Sequence, residues 1–326
     1  MKSSRVKPIL LLCILLLTIA IPALAAETTP MPENKAPVAE DLEISTFRGV
    51  SVSGMLIALD PEGDRMEFQI VRSPRKGELE LDSATGHFTY TPSEGKRGRD
   101  VFTYVAIDAS GNISSEATVR LRIERQSRQV QYADMEGHDA QLAAIELVER
   151  DIFIGEQIGG RYFFRPDTPV RRGEFLAMVL RASDTDILRG IVRTGFSDDA
   201  EIANWLKPYV STAVLGGVVQ GLHRDGTLVF APNQYISVGE AAVILNNVLS
   251  LCDVPVMNYR MPDSTAPPWA KQATSNLRAE SIISSDYPGV YQSTLNRADA
   301  AEMLRSARAV LEGRNAQVSS LLNWAN

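Results

Sequence analysis

From Ala36 to Glu124 apolar and polar residues alternate in short runs: Met66–Ile70, Gly77–Leu81, His87–Tyr90, Val101–Val105 and Ala117–Ile123. A period of two puts one face of a strand in a core and the other in water. Turn signals such as Pro61–Glu62–Gly63–Asp64 and Ser110–Gly111–Asn112 separate the runs. Six or seven antiparallel strands in about 90 residues predict a β-sandwich. Beyond Gln131 the spacing becomes helical. Ala140, Ala143, Ala144, Leu147 and Val148 recur at three and four residues, as do Ala241, Val243, Ile244, Val248 and Leu249, and Ala300, Met303, Leu304 and Ala307. The pattern predicts two domains, an all-β sandwich followed by an all-α bundle.

The helical part repeats. Tyr132–Ala133–Asp134, Phe196–Ser197–Asp198 and Met261–Pro262–Asp263 lie 64 and 65 residues apart. Each leads to a helix start, at Val170–Glu174, Ile236–Glu240 and Leu295–Asp299. A repeat of this length means three copies of one supersecondary unit, packed together because none buries its apolar face alone. Each copy reads as helix, loop, helix. Gly155, Gly221 and Ser285 occupy equivalent loop positions, and Phe164–Arg165–Pro166 and Phe230–Ala231–Pro232 supply an aromatic anchor and a helix-blocking proline. Ser237 to Glu240 is a capping box and Asn296 to Asp299 its shorter analogue, whereas Arg171 cannot accept a capping bond. Asp134, Asp198 and Asp263 are expected to cap turns or helix starts.

Residues 1–25 have the form of an export signal: Lys2, Arg5 and Lys7, an apolar run from Ile9 to Ile21, and Ala23–Leu24–Ala25 as a cleavage site. Residues 26–35 read as a disordered leader, 36–124 as the sandwich, 125–131 as a linker, and 313–326 as a tail. The three repeats cover 132–312, at about 132–190, 196–252 and 261–312. Removal of the signal's three cations takes the formal charge from −7 to −10, which argues against nucleic acid as a partner. No later segment is apolar enough to cross a bilayer, so the mature form is expected off the membrane. Cys252 is the one cysteine left in the mature chain, and Leu251 and Val254 beside it suggest that it is buried.

The sandwich resembles bacterial immunoglobulin-like and cadherin-like surface repeats. Ala36–Pro37–Val38, Asp60–Asp64, Gly86–Pro92, Asp100–Tyr104 and Asp108–Gly111 carry the resemblance. It implies a spacer or adhesive module with a surface-protein partner, and in some members calcium between acidic loops. Asp60, Glu62, Asp64 and Asp108 would supply the oxygen ligands. Plain Asp-Gly turns are the competing reading, because Asp bonds its own backbone and Gly accepts positive φ.

The repeated part resembles the S-layer homology domain, a module that usually comes in threes. Its opening Phe-Ser-Asp-Val box is similar to Tyr132–Met135, Phe196–Asp199 and, loosely, Met261–Ser264. Its His-Trp-Ala element is similar to His138–Ala140, Asn204–Leu206 and Pro268–Ala270, and its Ile-Thr-Arg-Ala-Glu signature to the three helix starts. The resemblance implies a pseudo-threefold bundle whose grooves hold secondary cell-wall polysaccharide, often pyruvylated, on peptidoglycan. It maps the glycan contacts onto Arg172, Arg297, Trp205 and Trp269, with Glu174, Glu240 and Asp299 alongside. Val238 and Asp139 replace the Arg and the Trp in the second and first copies.

Helix N-termini with free N–H groups, and an Arg fork beside them, would suit a carboxylate independently of the family. A salt bridge to the next copy competes for each Arg, and core or groove-wall packing for each Trp. Catalytic chemistry has no foothold: three histidines, no G-x-S-x-G elbow and no phosphate loop. The expectation is a non-catalytic protein of the cell surface. A self-assembling envelope protein whose repeats bind protein is the alternative.

Overall fold

The computed structural model describes residues 34–255, 266–284 and 291–325. The export signal, most of the leader, the third opening box at Met261–Asp263 and Ser285 lie outside the described residues. Nine strands form the N-terminal part: β1 (Val38–Ala39), β2 (Leu42–Phe47), β3 (Val52–Met55), β4 (Ala58–Leu59), β5 (Met66–Arg72), β6 (Gly77–Leu81), β7 (His87–Pro92), β8 (Gly98–Asp108) and β9 (Ala117–Glu124). One sheet has the order β2-β9-β8-β5 and the other β3-β7-β6, while β1 and β4 make a separate pair. The alternating residues Phe88, Tyr90, Phe102, Tyr104, Val119 and Leu121 meet between the sheets and are buried. Phe88 and Phe102 meet edge to face at 5.3 Å. The expectation of antiparallel pairing throughout needs one correction: β2 runs parallel to β9, from Leu42↔Val119 to Phe47↔Glu124. The first long strand lies beside the last, a pairing that no local pattern encodes.

The linker is held rather than free. The Ser127 N–H and the Arg128 N–H each donate to the Glu149 carboxylate at 2.9 Å. The Arg128 guanidinium pairs with Asp151, and Val130 is buried.

Among the described residues six helices follow, α1 (Gln141–Glu149), α2 (Arg172–Ala182), α3 (Lys207–Leu215), α4 (Val238–Leu249), α5 (Lys271–Ala279) and α6 (Arg297–Ala325). The all-α expectation is corrected by two small hairpins. They pair β10 (Glu156–Ile158) with β11 (Arg161–Phe163), and β12 (Leu222–Arg224) with β13 (Thr227–Val229). Their tight turns are Gly159–Gly160 and Asp225–Gly226, all four residues with positive φ, as two-residue hairpin loops require. The expected tail from residue 313 is instead the second half of α6, which is continuous over 29 residues.

Three extended segments, one before each of α2, α4 and α6, join the helical part at its centre. The N–H of Val170 donates to Leu295 O at 2.9 Å, that of Leu295 to Ile236 O at 2.9 Å, and that of Ile236 to Val170 O at 3.0 Å. This closes a ring of three bonds with one donor and one acceptor from each segment. All three side chains are buried. No segment satisfies its backbone alone, so the ring exists only when all three are present.

Gly155 and Gly221 are equivalent at a second level. Both have positive φ, and a Cβ would stand 2.5 Å from Phe163 O at the first and 2.4 Å from the Phe196 ring at the second. Phe196 in turn packs on Phe230 at 5.9 Å, as Tyr132 packs on Phe164 at 5.4 Å. The opening box and the aromatic anchor of a copy therefore meet across the hairpin.

Candidate functional site

The helix starts at the junctions were the expected anion sites. Their first N–H groups, on Arg172, Val238 and Arg297, donate to the carbonyls of Gln234, Ser293 and Thr168 at 2.8, 3.0 and 3.0 Å. The second, on Gly173, Gly239 and Ala298, donate to Pro232, Tyr291 and Pro166 at 3.0, 2.9 and 3.0 Å. The third is capped locally in two cases: Glu240 N–H to Ser237 Oγ at 3.2 Å and Asp299 N–H to Asn296 Oδ1 at 2.7 Å. A helix N-terminus holds an anion through N–H groups that have no other acceptor. Here the donors join copy to copy, so the expectation of anion-binding helix starts is corrected.

The arginines are committed in the same way. Arg172 is buried, its Nη1 donating to Glu240 Oε1 at 3.4 Å, with the guanidinium 5.6 Å from the Phe230 ring centre. Burial pulls its pKa down, and the Glu240 carboxylate opposes that shift. Arg297 donates to Glu156 Oε1 at 3.3 Å and to Phe164 O at 3.1 Å, 5.1 Å from the Phe153 ring centre. Both pairs cross a junction, so the salt-bridge reading of these residues is the one observed.

The three carboxylates are placed at the caps. Glu174 accepts from the Arg171 N–H at 3.2 Å, half of a capping box whose other half an Arg side chain cannot supply. Glu240 completes the full box with Ser237, accepting from its N–H at 2.9 Å. Asp299 stands at the matching position of α6.

Trp205 and Trp269 are different. They are 54% and 58% exposed, so the core-packing reading of both is corrected. Each sits two residues before a first helix, α3 or α5. The Trp269 ring lies 3.3 Å from where a Gly239 Cβ would be, and Leu206, next to Trp205, lies 2.5 Å from that of Gly173. Tyr209 meets the Trp205 ring edge to face at 6.2 Å. The two indoles thus occupy matching places at two successive junctions.

The acidic loops of the sandwich were the expected calcium site. Asp60 Oδ1 accepts from the N–H groups of Glu62 and Asp64 at 3.1 and 2.9 Å. Asp108 Oδ1 accepts from Ser110 and Asn112 at 2.8 Å each, and its Oδ2 from the amides of Asn112 and Asn34 at 2.9 Å each. Asp60 Oδ2 is buried without a partner, but among the described residues no three acidic, His or Cys side chains converge on one point. Both loops are side-chain-stabilised turns built on Asp60 and Asp108.

Asp134 and Asp198, expected to cap turns or helix starts, each cap a turn about 30 residues further along the chain, and the Asp199–Lys207 pair is a feature the sequence did not suggest. Asp134 accepts from the N–H groups of Phe164 and Arg165 at 2.9 and 2.7 Å, and Asp198 from those of Phe230 and Ala231 at 2.9 and 2.7 Å. Asp199 accepts from Lys207 Nζ at 2.7 Å and from the Thr194 N–H and hydroxyl at 2.7 and 2.8 Å. The Lys207 bond, then the two Thr194 bonds, draw its pKa from 3.8 to about 2. A carboxyl with a depressed folded pKa stabilises fully above its unfolded value and loses that contribution as pH falls through the folded one. Asp199→Asn should therefore melt below the parent at neutral pH, with the gap closing between about pH 4 and pH 2. Thermal melts that keep a constant gap over this range would rule the pair out as its source. Cys252, expected buried, is exposed and free. Among the described residues no helix is long and apolar enough to cross a membrane.

Residues 34–125 match the family model of the bacterial cadherin-like domain, so the sandwich is cadherin-like. No curated protein matches the chain. Among solved structures, the SrpA adhesin of Streptococcus sanguinis is 19% identical over 32% of this chain and 64% of its own, with a TM-score of 0.24. Drosophila N-cadherin is 16% identical over 30% and 35%, with a TM-score of 0.25. An endo-fucoidan hydrolase of glycoside hydrolase family 107 is 14% identical over 33% and 16%, with a TM-score of 0.26. Each likeness spans less than two thirds of the solved chain and about a third of this one.

Proposed function

We propose that the chain is a non-catalytic protein of the bacterial envelope. Its helical part is an S-layer homology triplet that binds cell-wall polysaccharide, and its cadherin-like sandwich is carried as a spacer or adhesive module. The supporting observation is the closed ring at Val170, Ile236 and Leu295, whose bonds repeat in register at the first and second helical N–H groups. Such a ring is what three tandem copies of one unit need in order to share a core.

Within this reading the arginines hold the junctions together, and sugar recognition falls to the exposed indoles. Aromatic faces offer large apolar area to the C–H faces of sugars at little entropic cost. Trp205→Ala/Trp269→Ala should lower co-sedimentation with purified cell walls at least about tenfold, with the melting temperature close to the parent's. Stripping the polysaccharide from the walls should remove binding of the parent to the same degree. Sedimentation that survives stripping, or ordered lattices of the purified chain, would favour the self-assembling alternative.

A further inference from the structure

The outer face of the β2-β9-β8-β5 sheet carries a groove of about 1130 Å³ lined by Arg72, Arg75, Lys76, Arg99, Arg120 and Arg122. In the β8–β9 register Arg99 stands opposite Arg122, and Val101 opposite Arg120. Side chains so opposed are about 5 Å apart, and like charges there repel. Glu43, opposite Arg120 across the β2–β9 pairing, lines the same groove and offsets one of the six positive charges; the other nearby acids do less. The Asp100 carboxylate is buried and accepts from the N–H groups of Arg75, Lys76 and Val101 and from the Tyr90 hydroxyl. Arg120 pairs with Asp41 and Arg122 with Glu124, all four side chains at least 40% exposed, so these pairs are weak and easily exchanged. Among the described residues the guanidiniums of Arg72, Arg75 and Arg99 form no ion pair.

Composition does not account for the face. The matched domain, residues 34–125, has 15 acidic and 12 basic residues, yet half of those bases line this one groove. Self-repulsion on a surface with acids to spare is retained at a cost in stability, and an anionic ligand would offset it.

We infer that this face binds a linear carboxylated polysaccharide. Five of the six cations are Arg, whose planar fork takes a carboxylate through two parallel bonds. Arg120 and Arg122 repeat at about 7 Å along β9, with Arg99 about 5 Å across, a lattice suited to charges repeating along an extended polymer. The groove is open and follows exposed side chains, so a long chain can lie over it without ends. No aromatic ring lines it, which removes the stacking platform that single-stranded nucleic acid uses. The site is on the sandwich, separate from the junction indoles, and does not depend on wall anchoring by the repeats.

Fluorescence anisotropy of labelled polygalacturonate with the full chain tests this. Binding is expected at low ionic strength and should fall steeply as salt is added. Arg99→Ala/Arg122→Ala should weaken it at least about tenfold, while Arg189→Ala/Arg193→Ala, an equal charge change on exposed residues of the helical part, stays within about twofold. Arg99→Ala alone should melt at or above the parent temperature while binding more weakly, because it relieves repulsion. Absence of binding at low salt would overturn the inference, as would equal loss in both double variants. Tighter binding of single-stranded DNA than of polygalacturonate would overturn it in favour of nucleic acid.

Discussion

Asp198→Ala unfolds the helical part at a temperature about 5–15 °C below the parent. The carboxylate takes the N–H groups of two successive residues, Phe230 and Ala231, one on each oxygen. Hydrogen bonds to a charged acceptor contribute about 1.5–3 kcal/mol each, less what water recovers at this partly buried site, so the pair is worth about 2–4 kcal/mol. The clamped segment also needs holding. Ala231 has φ of +57°, a left-handed conformation that a residue with a Cβ adopts only under constraint. Phe230, fully buried beneath it, is the ring on which Arg172 lies. Loosening this turn therefore loosens the junction between the first two copies.

Asp198→Asn separates shape from charge. An amide presents one acceptor and one NH2, and the NH2 would face a backbone donor, so Asn should be nearly as damaging as Ala. Recovery of parent stability by Asn would show that side-chain volume, not paired acceptance, matters. Asp134 clamps Phe164 and Arg165 in the same geometry, and Arg165 also has positive φ, at +56°. The two alanine variants should match in size. Differential scanning calorimetry of the full chain reads both.

That clamp marks where the sequence stopped being legible. The opening aromatic–x–Asp box and the Phe-x-Pro anchor were visible as repeated residues, but nothing local says that one binds the other across 30 residues. The sandwich was plainer, because Phe102, Tyr104, Ala106 and Val119, Leu121, Ile123 alternate strictly into one core. Its parallel β2–β9 pairing was not, since first-to-last pairing is a property of topology. The helix starts were also correctly located at Arg172, Val238 and Arg297. Their chemistry was misread because a sequence shows which N–H groups a helix leaves unpaired, and not which foreign carbonyls arrive to take them. The hairpin turns Gly159–Gly160 and Asp225–Gly226 carried a signal, masked by flanking strands of only three residues each.

Asp100→Ala is the matching experiment on the sandwich, with an expected loss of about 3–5 kcal/mol. Asp100 interrupts the alternation of β8 as a buried carboxylate. It accepts from Lys76 N–H at 2.7 Å, Tyr90 hydroxyl at 2.9 Å, and Arg75 and Val101 N–H at 3.0 Å each. Burial pushes its pKa up, but the hydrogen bonds together outweigh burial and leave it below 3.8. Burial also pushes the Tyr90 hydroxyl pKa up, and acceptance by Asp100 adds to this, so that phenol remains a donor. Removing the carboxylate strands the buried Tyr90 hydroxyl and the donors that tie the Arg75–Lys76 turn to the sheet. For a domain of this size a loss of 3–5 kcal/mol lowers the melting temperature by at least about 12 °C. The sign with pH follows from the depressed pKa: stability is full above 3.8 and declines as acid protonates the folded carboxyl. The parent and Asp100→Ala should therefore draw together in acid. Because the same turn carries Arg75 and Lys76 to the cationic groove, polygalacturonate affinity should fall with it, whereas Asp198→Ala leaves that affinity unchanged. Loss of polymer binding in both variants would mean that the groove is not a property of the sandwich alone.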